Sequence, residues 1–291
     1  MTVRRNADDA TVAGFGDEWR SFDQSVLGQE EGDELFAEYF AIFPWEFLPP
    51  QATGFDMGCG SGRWARRVAP RVGRLHCVDA AAAALAVAQR NLEDVSNVIF
   101  HHASIEESVL PERSMDFGYS LGVLHHVPDT QAGIEACVSL LKPGAPLLVY
   151  LYYAFDNRPA WYRWIWSVTD PVRRVVSRSP HAVKLVASAI IALLIYQPLA
   201  RAARVAAILR APFAEHMPLA YYARRSLYTM RTDAYDRFAT RLEQRFSRAE
   251  IVEMLTRSGL KNIRFSERAP FWCAVGFRRT EPLESDERVR V

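Results

Sequence analysis

Residues 55–62 read FDMGCGSG, so that an acidic residue, Asp56, precedes glycines at positions 58, 60 and 62. The apolar pattern around this stretch predicts a strand over 54–57 and a helix near 63–69. Glycines at alternate positions let the backbone turn tightly without a Cβ atom, so a ligand can approach the main chain and the helix N-terminus. The stretch therefore predicts a ligand-binding turn between a strand and a helix.

Short apolar segments alternate with helical patterns from residue 54 onwards. Strands are predicted over 54–57, 75–78, 98–101, 115–120 and 146–152, and helices near 63–69, 81–92 and 130–141. Ser247 and Glu250 form a capping box that begins a further helix, which is predicted to end before Gly259. The apolar segments 263–266 and 272–277 then predict a closing antiparallel pair. Because strict alternation requires parallel strands with crossover helices on both faces, we expect a doubly wound α/β sheet.

Changes in composition divide the chain into five predicted segments. These are an N-terminal helical layer (1–50, with helical spacing over 34–47), a ligand-binding α/β core (51–156), a helical insertion (157–235), a C-terminal helix and strand pair that completes the core (236–280), and a polar tail (281–291). Strands and helices do not alternate in the segment 157–235. We therefore interpret it as an insertion between the fifth strand and the last helix of one sheet.

Five motifs in order carry a family resemblance. They are the acidic glycine stretch at 55–62, the strand end at Asp79, the segment HASIE at 102–106, the segment 115–129 and the turn LLKPG at 140–144. In these motifs the chain resembles the class I S-adenosylmethionine (SAM)-dependent methyltransferases, among them those of quinone and natural-product pathways. A nicotinamide dinucleotide is the competing cofactor, but its fingerprint has a third glycine two residues further on.

The resemblance implies a Rossmann-like methyltransferase fold with a mostly parallel seven-stranded sheet, an antiparallel C-terminal strand and a helical insertion. It implies SAM as cofactor and S-adenosylhomocysteine as product. The implied cofactor-binding residues are Asp56, Gly58, Gly60, Gly62, Asp79, Ala80, Ser104, Ile105 and Leu121.

Individual roles follow from the family pattern. Asp56 would orient the amino group of SAM through the loop or a water, and the three glycines would border its methionine part. Asp79 would accept hydrogen bonds from the ribose diol, although a helix N-cap is the alternative. Ser104 stands where many relatives carry Asp against the adenine amino group, and Ile105 would pack on the adenine ring.

Three residues are candidates for catalysis. His125 and His126 follow the fourth predicted strand, at the sheet edge where ligands bind in this architecture. Imidazole titrates near neutrality, so either histidine can act as a general base; the alternative is that the pair shapes the SAM pocket. Tyr152 follows the fifth strand and would line the acceptor side, with packing as its alternative role.

Positive charge is concentrated in the insertion, although the whole chain has a net charge of only +1. Residues 158–210 contain nine basic residues and one acid, Asp170, a net charge of +8, together with Trp161, Trp164 and Trp166. The uncharged run 185–200 is shorter than the ~20 residues of a membrane-spanning helix, so we expect it not to cross a bilayer. The insertion is predicted to touch anionic lipid, to cover a lipophilic acceptor that bears phosphate, or to bury its own apolar faces.

These observations define the expected function: a SAM-dependent methyltransferase of EC class 2.1.1 that methylates a hydroxyl or carbon of a small acceptor. The acceptor is expected to be lipophilic or phosphate-bearing, such as an isoprenoid, a quinone precursor or a lipid-linked glycan. The alternative is a non-catalytic SAM-binding or membrane-docking protein.

The remaining expectations concern metals, partners and location. The four cysteines are scattered without a CxxC pair, so neither a metal site nor a disulfide framework is expected. No secretory signal is visible at the N-terminus, so a cytoplasmic location is expected, with peripheral contact at the inner face of an anionic membrane. Nucleic acid is not an expected partner, and the sequence leaves the oligomeric state open.

Overall fold

The computed structural model describes residues 6–107, 109–211, 213–214 and 217–280, and these residues form two compact units. The α/β unit contains residues 6–20, 33–156 and 242–280. The helical unit contains residues 21–32 and the described part of 157–241. The predicted polar tail 281–291 lies outside the described residues.

The α/β unit is built around one sheet. Its strands are β1 (Thr53–Met57), β2 (Arg74–Asp79), β3 (Val98–His102), β4 (Phe117–Leu121), β5 (Pro146–Tyr150), β6 (Leu260–Phe265) and β7 (Cys273–Arg278). The strand order is β3-β2-β1-β4-β5-β7-β6. β1 to β5 pair in parallel, and β7 is antiparallel to both of its neighbours. The predicted doubly wound, seven-stranded sheet with a closing antiparallel pair is therefore confirmed.

Ten α-helices accompany the sheet in the described residues: α1 (Asp9–Ser21), α2 (Gln29–Tyr39), α3 (Ala65–Val68), α4 (Ala82–Asn91), α5 (Thr130–Leu140), α6 (Ala160–Val176), α7 (His181–Ile191), α8 (Gln197–Ile208), α9 (Leu227–Ala239) and α10 (Arg248–Arg257). The helical pattern over 34–47 is only partly realised, because α2 ends at Tyr39 and a 3-10 turn follows at Trp45–Phe47. Pro44 precedes that turn, and proline disfavours the helical conformation at the residue before it.

Large apolar side chains on the central strands fill the core of the α/β unit. Every residue of β4 is buried, and Phe55, Phe117 and Tyr119 are fully enclosed. A central parallel strand is covered by helices on both faces, so both of its faces are apolar rather than one. This packing holds β1 and β4 side by side, and the loops after these two strands form part of the site described below.

The helical unit packs around α9. A turn of π-helix at Ala192–Tyr196 joins α7 to α8 without a break. On this long helix Ala192, Tyr196 and Ala200 recur every four residues and pack with Met230 and Ala234 of α9. A spacing of four residues brings side chains onto one face of a helix, so this stripe is the buried face.

One helix of the described chain is long and apolar enough to cross a membrane by length and composition. It spans His181–Ile208, and 17% of its most apolar 18-residue window is buried. The helix extends beyond the uncharged run 185–200, and length and composition alone are weak evidence for a membrane span. The expectation that this run does not cross a bilayer stays a prediction.

The capping box at the start of α10 gives a test of local stability. The Ser247 hydroxyl accepts the backbone N–H of Glu250, and the Glu250 carboxylate accepts the N–H of Ser247 at 2.7 Å. Ser247→Ala removes a cap, so we expect the free energy of unfolding of the α/β unit to fall by about 1 kcal/mol in urea titrations. Ser247→Thr keeps an oxygen in place and is expected to lose much less; an equal loss in both variants contradicts the capping role.

Candidate active site

The loop after β1 carries the glycines and turns sharply. Gly58 and Gly60 have φ angles of +81° and +54°, a conformation that glycine adopts without strain. The Gly58 N–H donates to the Val78 carbonyl oxygen at 2.8 Å, which ties the loop to β2. A Cβ atom on Gly60 would lie 2.8 Å from the indole of Trp19. There is therefore no room for a side chain at Gly60.

The Asp79 carboxylate, at the end of β2, organises the same loop. One of its oxygens accepts the Gly60 N–H at 2.8 Å, and the other accepts the Ala81 N–H at 2.8 Å. Burial raises the pKa of Asp79, and these two N–H donors act in the opposite direction. The residue that caps α4 is Ala81, so Asp79 is not the N-cap. Each carboxylate oxygen has further lone pairs, so the group can also accept ligand hydroxyls.

Asp56 on β1 is a buried carboxyl with no hydrogen-bond partner among the described residues. Only 1% of it is exposed. Its pKa is raised to about 8, mainly by burial; the Tyr119 hydroxyl lowers it, the neighbouring Asp79 raises it and Arg63 lowers it, each by less than burial raises it. Buried polar groups almost always have a partner, so this carboxyl is suited to a ligand that brings one.

The other residues implied for the cofactor lie at the ends of the neighbouring strands. Leu121 is the last residue of β4, and Ala80 follows β2 directly. Ser104 and Ile105 follow β3 and are buried. The Ser104 hydroxyl donates to Glu107 Oε2 at 2.8 Å, so its oxygen keeps lone pairs for an outside donor. Because β1 to β4 are parallel, these residues share the carboxyl edge of the sheet with Asp79.

The structure brings His125, His126 and Tyr152 together. The ring centroid of His125 lies 4.0 Å from that of His126 and 3.9 Å from that of Tyr152. The Tyr152 ring stacks on the His125 ring. His125 is fully buried, and burial, followed by His126 and Arg245, lowers its pKa well below the usual value. Its imidazole is therefore neutral near pH 7.

His126 differs from its neighbour in having a defined partner. Its Nδ1 lies 2.6 Å from the carbonyl oxygen of Leu242. A carbonyl only accepts, so Nδ1 carries the proton and, in the neutral ring, the lone pair is on Nε2. This is the nitrogen that can accept a proton.

A charged pair that was not predicted from the sequence lies beside these rings. Glu243 Oε1 lies 2.7 Å from the guanidinium of Arg245, and their side chains are 1% and 8% exposed. The Arg245 guanidinium is 5.2 Å from the ring centroid of Tyr152, and the Gln244 N–H donates to the His125 carbonyl oxygen at 2.9 Å. No sequence motif identifies residues 243–245 as part of the site. They lie beside the histidines only in the folded protein, where this later segment packs against the loop after β4.

The contact of the N-terminal helix α1 with the site was also not predicted. Trp19 lies over Gly60, and the ring of Phe15 is 5.1 Å from that of His126. Arg63 directly follows the glycine loop in the sequence, and its guanidinium is 5.6 Å from the Trp19 ring centroid. The only sequence signal was the spacing of Phe15 and Trp19, which places both rings on one face of a helix. The first helix thus contacts both the glycine loop and the histidine loop.

The described residues contain no cluster of three or more His, Cys, Asp or Glu side chains arranged to hold a metal ion. The four cysteines are free and buried. Burial raises the pKa of Cys137 to about 12, so this thiol stays protonated.

The fold and the site define a class: a Rossmann-like methyltransferase fold with a glycine loop after β1 and an acid at the end of β2. Residues 55–144 match the family described as "Methyltransferase domain". This match agrees with the resemblance of the motifs to the class I SAM-dependent methyltransferases. SAM is the methyl donor of that family.

Relatives of known sequence agree with this assignment. An uncharacterised methyltransferase of Mycobacterium tuberculosis is 30% identical over 128 residues, which are 44% of this chain and 64% of the relative. A ubiquinone biosynthesis O-methyltransferase of Xanthomonas campestris is 29% identical over 137 residues, 46% of this chain and 56% of the relative. The chain thus spans less than two thirds of the length of these relatives.

A solved structure is similar in fold. It is a Haloferax volcanii complex between the Trm112 methyltransferase activator and a candidate methyltransferase. The TM-score is 0.51 at 14% identity, over 93% of this chain and 100% of that one. At this identity the likeness shows the fold alone.

The raised pKa of Asp56 predicts a pH dependence of stability. In the ligand-free protein the folded state keeps a proton up to about pH 8 that the unfolded chain releases above pH 3.8. This carboxyl therefore lowers the free energy of unfolding as pH rises between those values, by at most about 1.4 kcal/mol per pH unit. We expect Asp56→Asn to flatten this decline in urea titrations between pH 5 and pH 8. Identical slopes in both proteins refute the assignment.

Proposed function

We propose that this protein transfers the methyl group of SAM to a hydroxyl or carbon of a small lipophilic acceptor, as an enzyme of EC class 2.1.1. The observation that carries the proposal is the buried, unpartnered carboxyl of Asp56 beside a glycine loop that Asp79 holds in place. A cationic, polar ligand supplies what that carboxyl lacks. SAM has an ammonium group, a ribose diol and an electrophilic methyl on its sulfonium.

The cofactor residues have separate roles in this proposal. Asp56 compensates the ammonium group, and Gly58, Gly60 and Gly62 leave room for the methionine part. Asp79 accepts the ribose hydroxyls with the lone pairs that Gly60 and Ala81 do not use. Ala80, Ser104, Ile105 and Leu121 then border the adenosine, with the Ser104 oxygen accepting from the adenine amino group.

The acceptor lies on the side of the histidine loop. A sulfonium needs little acid catalysis to release its methyl group, so the protein mainly aligns the reactants and removes a proton from a hydroxyl acceptor. His126 Nε2 is the base in this proposal, because its other nitrogen is held by the Leu242 carbonyl. His125, with its lowered pKa, and Tyr152, stacked on it, position the acceptor.

The class of acceptor is proposed from two observations. One relative is named as a ubiquinone biosynthesis O-methyltransferase, which favours an isoprenoid or quinone precursor over a soluble metabolite. In addition, most of the exposed large apolar side chains belong to residues 157–214 rather than to the α/β unit. We therefore place the enzyme in the cytoplasm, in peripheral contact with the inner face of the membrane.

Asp79→Ala tests the cofactor site. Loss of a buried, charge-assisted bond is expected to weaken SAM binding by about 1–3 kcal/mol, or roughly 5- to 150-fold, in calorimetric titrations. Asp116→Asn is the matched control, because Asp116 accepts the Thr53 N–H at 2.9 Å at the opposite end of the strands. Unchanged affinity in Asp79→Ala, or an equal loss in the control, contradicts the assignment.

His126→Asn tests the chemistry. The purified protein is incubated with SAM labelled in its methyl group and a membrane lipid extract, and solvent-extractable label and S-adenosylhomocysteine are both measured. We expect product from the wild type and at least about a hundredfold less from His126→Asn, with SAM affinity retained. Methylation that persists in the variant excludes His126 as the base, and SAM binding without any product from a range of extracts favours a binding protein.

A further inference from the structure

Helix α6 has its apolar face outside. Six large apolar side chains of this helix are exposed, between 40% and 69%: Trp161, Trp164, Ile165, Val168, Val172 and Val175. Their spacing of three, four and seven residues places them on one face, which we call the α6 arc. An amphipathic helix that served only its own unit would bury such a face.

The opposite face of α6 is buried and polar. Asp170 pairs with Arg173 at 2.9 Å, and their side chains are 8% and 13% exposed. Arg173 also donates to the Thr240 carbonyl oxygen at 3.1 Å, and Ser177 is buried one turn further on. Because these polar groups have partners, the orientation of α6 is specified by its polar face. The exposure of the α6 arc is therefore a consequence of the fold.

Arginines lie on one side of the α6 arc. Arg163, Arg174 and Arg178 are exposed, and their spacing of 11 and 4 residues places them on the flank between the arc and the buried face that contains Asp170; we call this flank the arginine edge. From 157 to 211 the sequence contains a single acid, Asp170, and this residue is buried in its ion pairs with Arg173 and Arg174. Every exposed ionised side chain along this stretch is thus cationic.

The long helix that follows has the same character. Val183, Val186, Ile190 and Leu194 of α7 and its π turn are exposed between 49% and 71%. Their spacing of three, seven and eleven residues again defines one face. Arg201 and Arg204 of α8 are exposed as well. Apolar and cationic surface therefore recurs on the next helix.

We propose that the α6 arc docks into the interface of an anionic lipid bilayer, with α6 parallel to the membrane plane. The apolar side chains, with Trp161 and Trp164 among them, enter the boundary between headgroups and acyl chains, where indoles are favoured. Arg178, the arginine nearest to the arc, then lies at the level of the anionic headgroups, and the long side chains of Arg163 and Arg174 face the same headgroups from the flank of the helix. This assigns a face and an orientation to the peripheral contact proposed above, on which the inference rests, and it does not depend on methyl transfer.

Charge favours lipid over a second copy of the chain as the occupant. A twofold contact through the α6 arc would bring the arginine edges of two copies together, with no exposed acid between 157 and 211 to compensate them. Nucleic acid would match the arginines but not the six apolar side chains between them. An anionic bilayer offers a negative layer above an apolar one, in the same order as the arginine edge and the arc.

The length and charge of α6 favour an orientation parallel to the bilayer. Its 17 residues extend about 26 Å, less than the ~30 Å of a hydrocarbon core. Arg163, Asp170 and Arg173 are spread along it, and ionised side chains are costly at the centre of a bilayer. A helix whose two faces differ in this way is stable at the interface, with one face in the lipid and the other on the protein.

Sedimentation of the full-length protein with vesicles tests the proposal. One set of vesicles contains phosphatidylcholine with 30% phosphatidylglycerol, and the other contains phosphatidylcholine alone. We expect binding to the anionic set at low salt that weakens as salt rises, and at least tenfold weaker binding to the neutral set. Equal binding to both sets overturns the proposal.

Two double variants separate the apolar and the cationic contributions. Val168→Asn with Val175→Asn is expected to weaken binding at least tenfold, whereas Val252→Asn, at an exposed site on α10, is expected to leave it unchanged. Arg163→Gln with Arg178→Gln is expected to weaken binding about 30-fold, at about fivefold per arginine. Arg90→Gln on α4 is the matched control for charge.

Three further outcomes count against the proposal. They are retention of binding in the valine variant, a concentration-dependent dimer in sedimentation equilibrium that this variant abolishes, and a membrane fraction from cells that resists alkaline carbonate, as a spanning helix would. Far-ultraviolet circular dichroism and thermal unfolding verify the folding of each variant. Calorimetric affinity for SAM is measured on each variant as well. It separates a failure of membrane docking from a failure of the proposed methyl transfer, because the α6 arc contains no residue of the cofactor site.

Discussion

The hydrogen bonds of the Asp79 carboxylate are the interaction on which the site depends. By accepting the N–H groups of Gly60 and Ala81, this one side chain joins the end of β2, the loop after β1 and the start of α4. The Gly58 N–H, bound to the Val78 carbonyl, holds the loop from the other side. Glycine has no side chain to restrict its backbone, so such a loop needs external hydrogen bonds to keep one conformation.

Buried ionisable groups divide into two kinds in the α/β unit. Glu243 and Arg245 form an ion pair within the fold, so each of these buried groups has a partner of opposite charge. Asp56 has no such partner among the described residues, and its raised pKa shows the cost of burying it alone. A bound ligand compensates that cost when it provides a partner for the carboxyl. Carboxyls with strongly shifted pKa values are therefore concentrated at binding sites.

In the helical unit the buried charged groups have partners and the apolar side chains are exposed. Its buried ion pair between Asp170 and Arg173 is satisfied internally, while six large apolar side chains on the same helix are left in solvent. Exposed apolar surface of this extent, bordered by charge of one sign, is typical of interaction sites. The two units therefore differ in what they leave unsatisfied: a single carboxyl in the α/β unit and an apolar face in the helical unit.

The sequence by itself determined the sheet, the glycine loop and the capped helix α10, because periodicity, left-handed glycines and the Ser247–Glu250 pair are local properties. It also placed Asp79 and the histidine loop at one edge, since parallel strands share their carboxyl ends. Only the tertiary structure decided that Glu243 and Arg245 lie beside Tyr152, and that Trp19 covers Gly60, because these contacts join segments far apart in the chain. Similarly, the pattern of α6 predicts an apolar face but not its direction, which was decided by the partners of Asp170 and Arg173.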